Sequence, residues 1–243
     1  MIVTGASGGI GRAIVRTLVA AGCRVGACDL REPLDLGDAE ELANVPTAAF
    51  DVSDPDATQS AVEGLAHTLG GLDAVVGNAG IVDTIHRAES FPDAAWRGDI
   101  ETNLSGQFHL ARAAFAALSQ APDGRIVFVS SASAESGLPG QVAYTAAKAG
   151  IVGMARTLAS EWAPRIRVNV VMPGMVATPK VRALPAAVGE LLASEIPLAR
   201  TAEPEELAGV IAFLLSPAAA YITGTVLRVD GGLGLSRIGL HRR

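Results

Sequence analysis

The chain has 243 residues, of which 49% are hydrophobic and 18% charged, with 19 basic against 25 acidic side chains and a formal net charge of −6. That apolar content is ample for one buried core and excludes disorder, while the acidic balance has the wrong sign for a nucleic-acid surface. Two cysteines, Cys23 and Cys28, are too few for a disulfide framework or a metal cage, so a reducing cytoplasm and no bound metal are expected.

From its first residues the chain reads as strand, turn and helix. Met1 leads straight into Ile2-Val3-Thr4-Gly5 with no basic region and no apolar stretch, which predicts no export signal of that kind. Strand-like runs follow at 2–3, 24–29, 47–52, 72–76, 125–130, 167–171 and 225–229. Helix-like segments alternate with them at 9–21, 38–44, 55–69, 93–118, 144–162 and 204–215. Ser53-Asp54-Pro55 and Glu203-Pro204 supply helix starts. Runs such as Ile126-Val127-Phe128-Val129 are apolar throughout, as strands covered by helices on both faces must be. The expectation is a single α/β domain over 1–243, a doubly wound Rossmann fold with a seven-stranded parallel sheet flanked by helices. Within it the Pro-punctuated stretch 174–203 reads as a lid inserted over a ligand site. Leu207 to Leu227 carries no charge, but Ser216-Pro217 and Gly224 break it, so a buried helix and strand are expected rather than a membrane span.

The turn after the first strand is Thr4-Gly5-Ala6-Ser7-Gly8-Gly9-Ile10-Gly11. Glycines there let backbone N–H groups and a helix N-terminus meet a pyrophosphate, so Gly5, Ser7, Gly9, Ile10 and Gly11 are candidate cofactor residues. Asp29 ends the second strand, where a carboxylate accepts from adenosine ribose hydroxyls and repels a 2′-phosphate. NAD is therefore favoured over NADP, although Arg12 and Arg31 lie near enough in sequence to support a 2′-phosphate. Further along, Tyr144 and Lys148 are four apart on one helix face. The chain has only two lysines, Lys148 and Lys180, and uses Arg for every other such cation, which marks a compact ammonium beside a phenol as chosen for its chemistry. Tyr144 is the candidate general acid or base for a carbinol or carbonyl oxygen. A phenol working near neutrality needs its pKa lowered by about 3 units, and an ammonium about 4 Å away supplies that order of energy, with an oxidised nicotinamide adding positive charge and desolvation of the phenolate opposing both.

With these residues in place the chain resembles the short-chain dehydrogenase/reductase family over essentially its whole length. The likeness rests on Thr4-Gly5, Gly9 and Gly11, on Asp51-Val52, Asn78-Ala79-Gly80 and Asn103, on Ser131, Tyr144 and Lys148, and on Pro173-Gly174 with Thr178. It implies that Asp51 and Val52 meet adenine, that Asn78, Ala79 and Gly80 line the cofactor near its riboses, and that Pro173, Gly174, Val176 and Thr178 hold the nicotinamide end, with Tyr144 and Lys148 also touching it. It further implies that Ser131 binds the substrate oxygen and that Asn103 positions a water in a proton relay from Lys148. Two departures stand out: the family commonly carries Asn where this chain has Gly77, and several residues ahead of a first strand that here begins almost at Met1, so a short first strand is expected.

Candidate substrate residues are Ser133, Gln141 and Met175, with Glu135, Leu138, His86, Val181 and Leu184 further out. The activity implied is interconversion of a secondary alcohol and a ketone with a small-molecule substrate. A 3-oxoacyl-carrier-protein reductase, a class that usually takes NADPH, is the alternative, and a non-catalytic nucleotide-sensing regulator the distant one. The resemblance also implies a homotetramer through 93–118, 144–162 and the last strand; the basic tail Arg237, His241, Arg242 and Arg243 reads as solvated or as crossing a subunit interface.

Overall fold

Short runs rich in Val and Ile, apolar on both sides, leave no face to give to water, and they stack edge to edge under two layers of helix. The strands are β1 (Ile2–Thr4), β2 (Gly26–Asp29), β3 (Thr47–Ala49), β4 (Ala74–Gly77), β5 (Gly124–Val129), β6 (Ile166–Pro173) and β7 (Val226–Val229). They form one seven-stranded sheet in the order β3-β2-β1-β4-β5-β6-β7, parallel throughout. This computed structural model describes residues 1–37, 39–82 and 84–235, so the basic tail from Arg237 to Arg243 lies outside the described residues.

The helices are α1 (Gly9–Ala20), α2 (Pro55–Thr68), α3 (Asp93–Ile100), α4 (Gly106–Leu118), α5 (Ser133–Ser136), α6 (Val142–Trp162), α7 (Pro179–Arg182), α8 (Ala186–Ser194) and α9 (Pro204–Leu214). On one face α2, α4 and α6 bury Val62, Leu110 and Ile151 against Ile126 and Phe128. On the other, α1 and α9 bury Ile14, Leu18, Leu207 and Ile211 against Val3 and Val76. Each such side chain contributes about 1.5–3 kcal/mol on leaving water. Between β1 and β4 the winding reverses, and that is where open α/β sheets bind ligands.

The strand-like and helix-like segments match these elements with two exceptions. The helix expected at 38–44 is only a 3-10 turn, Glu40–Leu42, because Leu42 is its one buried side chain and a single anchor does not offset helix nucleation. The helix expected at 93–118 is interrupted by a π-helical turn, Glu101–Ser105, where the Asn103 side-chain amide donates to the Asp99 carbonyl at 3.0 Å. Turns of that kind cluster at functional sites. β1 is short, as expected, and is extended by Met1, whose carbonyl accepts from Gly26 N–H at 2.8 Å. Among the described residues no helix is long and apolar enough to cross a membrane. The uncharged stretch from Leu207 is α9, a 3-10 turn and β7.

Candidate active site

At the winding reversal the strand ends and the turn after β1 enclose a cleft of about 600 Å³, within the range of small-molecule and cofactor sites. Gly5, Ser7, Gly9, Ile10 and Gly11 form its floor and Asp29, Asp51 and Val52 one wall. Asn78, Ala79 and Gly80 close the other side, with Thr178 above. Gly11 is required by close approach, since a Cβ there would stand 1.9 Å from the Gly5 carbonyl oxygen. α1 starts at Gly8 with no side-chain cap and no acid in its first turn, so its leading N–H groups suit an anionic group such as a diphosphate.

Thr4 and Asn78 lock the two sides of the cleft together. Thr4 Oγ1 accepts from Asn78 N–H and Ala79 N–H, both at 3.2 Å, and the Asn78 amide donates to the Thr4 and Gly5 carbonyls at 3.0 and 3.1 Å. Asp29 is held by backbone: Ser7 N–H donates to Oδ2 at 2.8 Å and Leu30 N–H to Oδ1 at 2.7 Å. Its carboxylate therefore sits between the glycine turn and the end of β2, fixed but with lone pairs to spare. Arg12, weighed from sequence as a 2′-phosphate partner, is paired with Asp35 at 2.6 Å and reaches back to the Ser7 carbonyl at 3.4 Å. Pro173, Gly174 and Val176 are not in the cleft lining. They lie at the end of β6 and just beyond it, where Gly174 packs on Asp230 and Val176 forms a bridge with Ala202.

The second cluster hangs from β5, α6 and the π turn. Tyr144 and Lys148 share one face of α6, with Lys148 Nζ 5.7 Å from the Tyr144 ring centre. Tyr144 is hydrogen-bonded to Ser131, whose Oγ also accepts from Ser133 N–H at 3.2 Å and Ser133 O–H at 3.0 Å. Lys148 Nζ is buried and donates to the Val129 carbonyl at 3.0 Å, and Ser130 O–H donates to the Lys148 carbonyl at 2.7 Å, which ties β5 to α6. Asn103 reaches across to the cofactor-side loop, its Oδ1 accepting from Ile81 N–H and its amide donating to the Ile81 carbonyl, both at 3.0 Å. Gly80 stands where these meet: a Cβ on it would lie 2.5 Å from Asn103 Oδ1 and 3.3 Å from Lys148 Nζ.

Burial dominates the electrostatics here. It pushes the Tyr144 phenol above its ordinary value, only partly offset by the Ser131 hydrogen bond, and the Asp99 carboxyl adds to the rise. It also pushes Lys148 down to about 8. Desolvation, expected to oppose the ammonium and an oxidised nicotinamide, is the largest influence on the phenol here, and the ammonium is itself weakened by burial and engaged with Val129. Asp99 is itself buried, and burial raises its carboxyl too.

The departure at Gly77 has a structural counterpart that sequence reasoning missed. A Cβ at Gly77 would fall 2.0 Å from Gln107 Oε1 and 2.7 Å from Phe128, while Gln107 Nε2 donates to the Ala79 carbonyl at 2.6 Å. The amide of Gln107, on α4, thus supports the Asn78-Ala79-Gly80 loop from beneath. Gly77→Asn is expected to destabilise the chain by about 1–3 kcal/mol through overpacking, and adding Gln107→Val to recover most of that loss. Denaturant unfolding of wild type, Gly77→Asn and the double variant checks this; Gly77→Asn as stable as wild type would mean that the Gln107 side chain yields the space without cost.

Of the substrate-side residues, Ser133 and Gln141 are both buried. Ser133 bonds Ser131, and the Gln141 amide donates to the Val82 carbonyl at 3.3 Å, so the loop after Gly80 rests on the one before α6. The carbonyl of Met175 accepts from Ala202 N–H at 2.9 Å and Ala177 N–H donates to the Ala202 carbonyl at 2.8 Å, which staples the two ends of the segment that carries α7 and α8. Leu138 and Leu184 are exposed, Val181 is half-buried, and His86 stacks edge-on against Phe91. Glu135 is taken up by Arg228 at 2.7 Å, a partner 93 residues away that the sequence did not announce. Among the described residues no group of His, Cys, Asp or Glu could hold a metal ion.

Comparison with known proteins identifies relatives along nearly the whole chain. A sequence-family model described as enoyl-(acyl carrier protein) reductase matches residues 5–234. A 3-oxoacyl-(acyl-carrier-protein) reductase of Salmonella typhimurium is 39% identical over 234 residues, 96% of each chain. A cis-4-hydroxycyclohexanecarboxylate dehydrogenase of Sinomonas cyclohexanicum is 39% identical over 236 residues, covering 95% of this chain and 94% of that protein. Among solved structures, the aldohexose dehydrogenase of Thermoplasma acidophilum superposes with a TM-score of 0.91 at 32% identity, covering 99% of this chain and 96% of that one.

Proposed function

The chain belongs to the short-chain dehydrogenase/reductase family and is an oxidoreductase with a nicotinamide cofactor; from that premise we propose that it interconverts a secondary alcohol and a ketone, using NAD. The observation that carries this reading is the hydrogen-bonded Ser131–Tyr144 pair with Lys148 on the same helix face, held beside the cleft by Asn103 and Gly80. Gly5, Gly9, Gly11 and the uncapped start of α1 would hold the diphosphate, Asp29 the adenosine ribose, Asp51 and Val52 the adenine, and Pro173, Gly174, Val176 and Thr178 the nicotinamide end. When bound, that cofactor accepts or donates a hydride, and its oxidised ring adds positive charge near the phenol.

The chain's own residues supply the rest. Ser131 Oγ, kept in place by two donors from Ser133, orients the substrate oxygen and stabilises alkoxide character. Tyr144 gives or takes the proton at that oxygen. Lys148 lowers the cost of the phenolate by its charge and passes protons towards Asn103, which we assign to a relay through water. Because the Asn103 side chain is engaged with Ile81 and Asp99, a backbone group of the π turn is the part left to hold that water. Segment 174–203, stapled at its base, serves as the lid over the substrate, with Ser133, Gln141 and Met175 at the pocket edge.

NAD rather than NADP is supported by Asp29, fixed at the ribose position, and by the pairing of Arg12 with Asp35. NADH is expected to bind the wild type at least about tenfold more tightly than NADPH, and Asp29→Ala to lose about 1.4 kcal/mol of that preference, read by fluorescence titration. Tighter binding of NADPH to the wild type would overturn the NAD assignment. The 39% identity to a 3-oxoacyl-carrier-protein reductase favours a second reading, reduction of a carrier-bound ketone. Against it, Arg87, Arg182, Arg200 and Arg228 are each matched by a carboxylate, which leaves little attraction for an acidic carrier at those positions. Turnover of a panel of cyclic alcohols, aldohexoses and a 3-oxoacyl thioester separates the two. Binding without turnover of any of them would instead favour a nucleotide-sensing regulator.

We further assign the chain to the cytoplasm, supported by its free cysteines Cys23 and Cys28, and to a homotetramer. Exposed Trp96 on α3, Phe108 and Phe115 on α4 and Val142 on α6 support association through those helices.

A further inference from the structure

Arg228, on β7, belongs to none of the motifs that carry the family resemblance, yet each of its guanidinium nitrogens has a partner. Nε donates to Asp230 Oδ2 at 2.9 Å, Nη1 to Glu135 Oε2 at 2.7 Å, and Nη2 to the Leu233 carbonyl at 2.6 Å and also to Asp230. One planar fork thus joins α5 to the turn that follows β7, a task that a single ammonium could not perform.

On one side stands the catalytic serine. Glu135 sits on α5, a helix of 4 residues whose one buried side chain is Ser133, too short to hold itself. Its start hangs from β6, where Ala132 N–H donates to the Pro173 carbonyl at 2.8 Å, and Arg228 holds its outer side. The same α5 supplies the two Ser133 donors that fix Ser131 Oγ. On the other side stands the seat of the lid. The Asp230 carboxylate is nearly buried and accepts from Gly232 N–H at 3.0 Å. Leu198 N–H donates to the Gly231 carbonyl at 3.2 Å, and a Cβ on Gly231 or Gly232 would stand 2.7 Å from Ile196 or 3.0 Å from Pro197.

Resting on the reading of Ser131 above, we propose that Arg228 is a positioning residue of the reaction: through Glu135 it holds α5, and with it Ser131, in register with the turn that seats the end of segment 174–203. Arg228 and Glu135 are both exposed, and an exposed ion pair adds little to stability. A reacting group displaced by about 1 Å, in contrast, loses up to about 10²-fold in rate. The pair therefore shows in turnover and not in unfolding.

Glu135→Gln, Arg228→Gln and the double variant are compared with wild type in four measurements: turnover of cyclohexanol, glucose and a 3-oxoacyl thioester, NADH titration, unfolding midpoint, and amide hydrogen exchange over 132–137. Glu135→Gln is expected to lower kcat about tenfold, with NADH affinity and unfolding midpoint as in wild type. It should also speed exchange at Gly137, whose N–H donates to the Ser133 carbonyl at 2.8 Å. Arg228→Gln leaves Asp230 without its cation and is expected to unfold earlier, so Glu135→Gln is the deciding variant. The double variant should be no slower than Arg228→Gln, the mark of two groups acting as one unit. Wild-type kcat in Glu135→Gln, losses that multiply in the double variant, or NADH affinity falling in step with kcat each overturn the assignment. Wild type that turns over none of the three substrates overturns the reading of Ser131, and this assignment with it.

Discussion

Replacing Tyr144 by Phe is expected to lower turnover by a factor of about 10²–10⁴ while leaving NADH affinity and the unfolding midpoint close to wild type. The ring of Tyr144 stays packed in α6, and only the hydroxyl that meets Ser131 is removed. Ser131 keeps its two donors from Ser133, so the loop that presents it does not lose its support. The loss should fall on kcat, because the phenol acts on the proton of the reacting oxygen and not on the dinucleotide. Single-turnover kinetics with a reactive alcohol check this. A variant keeping more than about a tenth of wild-type turnover would show that another group moves the proton.

Lys148→Met is expected to abolish turnover and yet make the fold more stable at neutral pH. Lys148 is buried, with Val129 carbonyl as its hydrogen-bond acceptor, and burial takes its amine down to about 8 from 10.5. An amine with a folded value below its unfolded one penalises the native state while it is charged. That penalty is fully present below about pH 8 and fades as the pH climbs to 10.5. Its size is about 3 kcal/mol, reduced in the variant by the donor that Val129 loses. Methionine fills similar space without a charge, so unfolding at pH 7 should need more denaturant than wild type, with the difference closing towards pH 10 to 11. A variant less stable than wild type at pH 7 would mean that the ammonium is better solvated in place than its burial implies. The same residue thus costs stability and supplies the charge the phenol needs, a trade expected where a site is strained for chemistry.

Tyr144 and Lys148 were legible as a pair because helical periodicity puts positions four apart on one face. Asp29, the glycine turn and Asn78 to Gly80 were legible for a related reason: they sit at the ends of strands whose apolar runs fix where the chain must turn. The predicted helix over 93–118 failed for a reason that no periodicity carries. At its π turn the Asn103 amide reaches Asp99 four residues back and also Ile81, and the Ile81 contact is made only once the loop after β4 lies against the turn.

What the sequence determined by itself is therefore the local chemistry: seven apolar strands, the helices between them, a phosphate-binding turn and a phenol with an ammonium one helical turn away. Those features depend on near neighbours and on the two-residue and 3.6-residue periods that decide which side chains are buried. Only the tertiary structure decided that Gln107 takes the space a side chain at Gly77 would need, that Glu135 belongs to Arg228, and that Thr178 and Pro179 pack on the glycine turn. It also decided that burial, and not the lysine, governs the phenol of the isolated chain. Distances between side chains far apart in sequence are set by how the layers pack, and the electrostatics of a buried group follows from the water that packing removes.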